Sequence, residues 1–130
     1  MSVVKNKAVV RRFIKEVLVA GNVDAVDELL APNYVNRSYG ASNRAAFKGV
    51  LSGLKAAVPV REFKTENLLA EGNAVVFRGT MNATIGGKKV SARMITYYRL
   101  ARGKIVEDDP ISTPDLSQML ASMMPPPSHS

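Results

Sequence analysis

With 130 residues, 46% of them apolar and 22% charged, the chain is long enough for one domain with a real core and too short for two, and its composition is far from that of a disordered chain. It holds no cysteine, which excludes disulfides, thiolate nucleophiles and cysteine-based zinc sites. Its formal charge of +7 is scattered in ones and twos such as Arg11-Arg12 and Lys88-Lys89, without interleaved aromatics or a long basic helix face, so no nucleic-acid partner is expected.

Along the chain, apolar side chains recur at helical spacing from Asn6 to Ala20, at Val10, Phe13, Ile14, Val17 and Leu18, with Arg11, Arg12, Lys15 and Glu16 between them. This pattern predicts an amphipathic helix ended by Gly21. A second, shorter helix is predicted from an Asn22 cap, with Asp24 near its positive end and Val23, Val26, Leu29 and Leu30 buried before Pro32. After a short extended piece, Tyr34 to Asn36, Ser42 is expected to cap a third helix. Its stripe is Phe47, Val50, Leu51, Leu54 and Val58, and Pro59 stops it.

The period then changes to two. Phe63, Thr65, Asn67 and Leu69 alternate with exposed-type residues up to a Glu71-Gly72-Asn73 turn. The runs Ala74 to Ile85 and Val90 to Leu100 flank a Gly86-Gly87 hairpin signal, and Arg102-Gly103 leads into a last strand from Lys104 to about Ser112. The fold class is therefore α+β, with three N-terminal helices packed on one face of a curved antiparallel sheet. Residues 1–120 form the single domain, ending in one or two helical turns with Leu116, Met119 and Leu120. The Pro-rich tail, residues 121–130, is expected to be flexible. No segment is apolar enough to cross a bilayer and Met1 to Lys7 carries no signal-like run, so a cytoplasmic location without membrane association is expected.

Three strings stand in a specific order: Gly21-Asn22-Val23-Asp24 leading to Leu29-Leu30-Ala31-Pro32-Asn33-Tyr34-Val35, then Glu71-Gly72-Asn73-Ala74-Val75-Val76-Phe77-Arg78, then Tyr98-Arg99-Leu100-Ala101-Arg102-Gly103-Lys104-Ile105-Val106-Glu107. With the order of elements they make the chain resemble the SnoaL-like polyketide cyclase family of the nuclear-transport-factor-2-like (ketosteroid isomerase-like) superfamily, over about residues 5 to 120. The resemblance implies a cone-shaped α+β barrel, a pocket between the concave sheet face and the helices, and a homodimer. It also implies a small lipophilic carbonyl compound as ligand. That ligand is either turned over by proton transfer, as in cyclases and isomerases, or bound without catalysis, since fold alone does not decide. The chain departs from the family at three places. Asn36 and the Ala83-Thr84-Ile85 string stand where cyclases tend to carry histidines. Asp108, Asp109 and Thr113 stand where the family places His, Trp and an acid/base aspartate.

The only histidine, His129, lies in the Pro-rich tail, so a Ser-His-Asp triad or a His-based metal site is not expected, and neither metal nor cofactor is assigned. Carboxylate chemistry remains, in which burial among apolar groups brings an acid toward the working range of a general base. In Glu107-Asp108-Asp109, strand parity puts Glu107 and Asp109 on one side and Asp108 on the other. If Ile105 and Ile111 face the core, Asp109 is the catalytic candidate. Otherwise Asp109-Pro110 is a polar strand end and Glu107 pairs with an arginine such as Arg93 or Arg99. Arg78 is the second candidate, anchoring an enolate or pairing with Asp109, against the alternative of a solvated edge arginine. Tyr34, Asn36 and Tyr98 offer donors to a substrate oxygen, or serve as ordinary core groups. Phe13, Val17, Phe47, Leu51 and Met94 are expected to complete the substrate-binding wall.

Overall fold

A computed structural model describes residues 2–121 of the chain. Helix α1 (Val3–Arg12) starts at Ser2, whose side chain accepts from the Lys5 amide at 3.1 Å. The helix does not stop at Arg12 but continues as π-helical turns over Phe13–Val19. Phe13, Ile14 and Val17 of these turns are buried. Helix α2 (Val23–Leu29) is capped by Asn22 as the sequence predicts, its Oδ1 accepting from the Asp24 amide. Helix α3 (Arg44–Ala57) is capped one residue later than predicted, by Asn43, whose Oδ1 accepts from the Ala46 amide at 2.8 Å. Asparagine caps at least as well as serine, so the competition between Ser42 and Asn43 is settled locally.

The strands are β1 (Leu30–Asn36), β2 (Arg61–Glu71), β3 (Ala74–Ile85), β4 (Lys88–Ala101) and β5 (Lys104–Thr113), followed by a short α4 (Leu116–Ala121). They form one sheet in the order β1-β5-β4-β3-β2. It is curved and unclosed, and the α+β class with helices on one face is as predicted. The β2-to-β5 meander is antiparallel, but the segment around Tyr34 is more than an extended link: as β1 it pairs in parallel with β5, Asn36 opposite Asp108. The β3–β4 turn needs its two glycines, since Gly86 and Gly87 both have positive φ, 59° and 80°, as a two-residue hairpin loop requires.

Two bulges break the alternation that the sequence reading relied on. In β2, Glu66 is the extra residue between the pairs Thr65–Gly79 and Asn67–Arg78. Inward positions therefore pass from Phe63 to Leu68, and Leu69 is exposed. Opposite this bulge Gly79 lets β3 bend, because a Cβ there would lie 2.0 Å from the Lys64 carbonyl oxygen and 2.6 Å from the Phe77 ring. In β5, Val106 is the extra residue between the pairs Arg99–Glu107 and Leu100–Ile105. Ile105 and Val106 are consequently both buried, and Ile111 is 69% exposed.

The core lies between helices and sheet, around Val10, Phe13, Val17, Leu29, Leu51 and Tyr98. Arg61, at the start of β2, is buried, and among the described residues no Asp or Glu makes an ion pair with it. Its guanidinium donates to the carbonyls of Leu18, Val19 and Val58, tying together the C-terminal ends of the first and third helices. Carbonyls at helix ends suit a cation. Among the described residues no helix is long and apolar enough to cross a membrane. The Pro-rich tail beyond Ala121, His129 included, lies outside the described residues.

Candidate active site

After the Val106 bulge, Asp108 and Pro110 face inward, opposite Tyr98 and Thr96 of β4. Parallel pairing brings β1 alongside, so Tyr34 and Asn36 meet Asp108 from the other side. The three side chains form a chain of hydrogen bonds. Asn36 Nδ2 donates to Tyr34 Oη at 3.2 Å, and Tyr34 Oη donates to Asp108 Oδ2 at 2.7 Å. The Asn36 amide is oriented from behind, its Oδ1 accepting from the backbone amides of Ser38 and Tyr39 at 3.1 and 2.9 Å. This fixes Nδ2 toward the tyrosine and leaves it a second hydrogen to give.

Asp108 is only 3% exposed. Among the described residues no Lys or Arg makes an ion pair with it. Burial pushes its carboxyl up to about 7, the hydrogen bond from Tyr34 pulls the other way, and the charge of Asp109 adds to the rise. Burial, then the charge of Asp108, holds Tyr34 and Tyr98 well above the usual phenol range, and burial raises Tyr39 to about 12. All three phenols therefore remain donors at neutral pH.

In front of Asp108 lies a cavity of about 50 Å³, more than one water needs. Its apolar wall comes from Ile14 and Leu18 on the π-helical turns, Phe47, Val50, Leu51 and Leu54 on α3, and Phe63, Phe77, Met81 and Met94 on the sheet. Its polar groups are Asn36, Tyr39, Thr96, Tyr98 and Asp108, supplied by β1, β4, β5 and the turn after β1. A titrating carboxylate thus faces an apolar space beside fixed N–H and O–H donors, the arrangement that proton transfer next to a carbonyl needs.

The sequence model of the SnoaL-like domain matches residues 10–108. The chain belongs to the SnoaL-like domain family, within the nuclear-transport-factor-2-like superfamily. This SnoaL-like chain is similar to a candidate polyketide cyclase from Acidithiobacillus ferrooxidans, at 25% identity and a TM-score of 0.77 over 95% of this chain and 97% of that one. It shares its fold with a candidate SnoaL-like polyketide cyclase from Jannaschia sp. CCS1 (21% identity, TM-score 0.79, 95% and 94% covered). The same holds for IdmH, a candidate polyketide cyclase from Streptomyces antibioticus (22%, 0.72, 91% and 97%). No curated protein matches the sequence.

In this SnoaL-like domain Asn36, Phe47, Leu51, Met94 and Tyr98 line the cavity. Tyr34 stands behind Asp108 rather than in the wall. Phe13 and Val17 are buried in the core instead, Phe13 packing its ring against Phe47 and Tyr98, and their neighbours Ile14 and Leu18 face the cavity. Asp109 is not in the wall either. The expectation required Ile105 and Ile111 on one face, and the Val106 bulge separates them, so Asp108 faces in and half-buried Asp109 lies opposite Tyr97. Arg78 points outward between inward-facing Phe77 and Gly79, half-exposed and 3.5 Å from Glu66. Glu107 pairs with Arg99, one of its two expected partners, and also with Arg37. Asp108, Tyr39 and Thr96 belong to the lining as well, although the residue pattern alone does not select them. The one signal for Asp108 is the apolar doublet Ile105-Val106, two adjacent core-type residues in a strand, which marks a bulge.

Proposed function

We propose that the chain is a proton-transfer catalyst, of the cyclase or isomerase type, acting on a small lipophilic carbonyl compound. Asp108 is the base in place of the expected Asp109. Its carboxylate removes a proton from the carbon next to the substrate carbonyl, becoming the carboxylic acid, and returns the proton at another position. Charge then develops on the carbonyl oxygen, and the free hydrogen of Asn36 Nδ2 or the Tyr98 hydroxyl stabilises it, in a space from which most water is excluded. Tyr34 positions Asp108 through its hydrogen bond. The single observation that carries this reading is a carboxylate 3% exposed, without a basic partner among the described residues, at the edge of an apolar cavity. Such a group is costly to keep for stability alone and is poised near neutrality.

The test is α-proton exchange of cyclohexanone in D2O, followed by NMR. The wild-type chain is expected to accelerate exchange, and Asp108→Asn to reduce it to the buffer rate while remaining folded. A wild-type rate equal to buffer, with the ketone bound, would replace this reading by the second one, ligand binding without turnover. That reading is favoured by the engagement of Asp108 Oδ2 by Tyr34. A homodimer formed through the outer sheet face is part of the same proposal, supported by the cross-strand neighbours Ile95 and Ile111, which are 52% and 69% exposed there. Sedimentation is expected to show a dimer that Ile95→Lys dissociates, and a wild-type monomer would contradict it.

A further inference from the structure

Two hollows on one face of the sheet share a wall. The inner one is the cavity beside Asp108. The outer one, about 150 Å³, is lined by Ser38, Ser112 and Asp115 together with Tyr39, Met94 and Pro110, and the last three also line the inner cavity. Along β5 the alternate residues Asp108, Pro110 and Ser112 stand opposite Tyr98, Thr96 and Met94 of β4. The same strand face therefore runs from the inner cavity, past the wall, into the outer hollow, a span of about 13 Å for four residues.

The backbone of this wall is held firmly. Tyr39 lies in a turn closed by a bridge from Asn36 to Ala41. The Arg37 amide donates to the Asp108 carbonyl at 3.0 Å, and the Ser38 hydroxyl donates to the Pro110 carbonyl. Asn36 Oδ1 accepts from the Ser38 and Tyr39 amides. The ring of Pro110 fixes its own φ. The parts that can move without breaking these bonds are the side chains of Tyr39 and Met94, and an unbranched thioether adapts readily to a new shape.

The two hollows also differ in chemistry. The inner wall is mostly apolar, whereas the outer hollow adds two serine hydroxyls and the Asp115 carboxylate. We propose that they form one binding channel, in which Tyr39 and Met94 are the dividing residues that set the length of ligand accepted. The ligand is an elongated, mainly apolar ketone about the length of two fused rings, with its carbonyl end beside Asp108 and a hydrogen-bonding end among Ser38, Ser112 and Asp115. The proposal rests on the Asp108 cavity being the binding site, and it adds what that site selects.

The test uses the full chain and two ketones, the fluorescent 6-propionyl-2-naphthol as the long probe, its hydroxyl being the hydrogen-bonding end, and cyclohexanone as a short competitor. Ser112→Phe, which narrows the outer hollow, is expected to raise the ratio of the long to the short dissociation constant by roughly tenfold. Tyr39→Ala, which removes the divider, is expected to lower that ratio roughly threefold and to speed association of the long probe. Thermal unfolding establishes that each variant is folded, and if Ser112→Phe is not, Tyr39→Ala decides alone. Ratios unmoved in folded variants, or a wild-type chain that binds neither ketone, would overturn the channel. Failure of the Asp108 reading is separately visible, because α-proton exchange would then be uncatalysed while the ratios still shift as stated.

Discussion

Glu107 and Asp108 are adjacent carboxylates on one strand, yet alternation sends them to opposite faces of the sheet and into opposite electrostatic settings. Glu107 looks outward, where Arg37 and Arg99 reach it at 2.7 and 3.1 Å, and their hydrogen bonds hold its carboxyl below the usual range. Asp108 looks inward, where burial raises it to about 7. The same functional group one residue apart sits between two half-exposed arginines on one face and alone among apolar groups and phenols on the other, and which carboxylate goes inward is decided by the backbone, through the bulge at Val106. Function therefore belongs to the face of the sheet rather than to the acidic string as such.

Exchanging the charge on each side breaks or sharpens this contrast. The largest effect is expected from Asp108→Asn, which should lower turnover of a carbonyl substrate by roughly 10²–10⁴-fold. The same substitution should stabilise the fold at alkaline pH. Because the native carboxyl binds its proton more tightly than the unfolded one, its contribution to stability is full below about pH 4 and is lost as pH rises through about 7. Denaturant unfolding at pH 8 should thus find Asp108→Asn more stable than wild type by up to about 4 kcal/mol, and the gap should vanish toward pH 4. Tyr34→Phe should act in between. Without the hydroxyl that stabilises the charged form, the acidic limb of the pH–rate profile should move upward by about one pH unit. Glu107→Gln should change least, with turnover within about twofold and stability lowered by no more than about 1 kcal/mol, since exposed pairs contribute little.

Much of the frame was readable from residues alone. The apolar stripe of α3 does line the cavity, through Phe47, Val50, Leu51 and Leu54, because helical periodicity survives burial. The Gly86-Gly87 turn is formed because only its φ values fit a two-residue loop. Long-range registration was not readable. Parity counted from Ile105 gave Asp109, whereas the structure counts from the far side of Val106 and gives Asp108. The same cause displaced Leu69, beyond the Glu66 bulge, from the expected inner face. The first helix gives the wall Ile14 and Leu18 rather than Phe13 and Val17, since both pairs belong to one apolar stripe and the stripe does not say which pair meets the cavity.

The most direct measurement of the contrast between the two faces is a ¹³C NMR titration of the side-chain carboxyls of Glu107 and Asp108 in the intact chain. The account predicts that Glu107 titrates below its usual range and that Asp108 titrates at about 7. An Asp108 carboxyl that titrates near the ordinary aspartate value of about 4 would contradict it, leaving the cavity without its base.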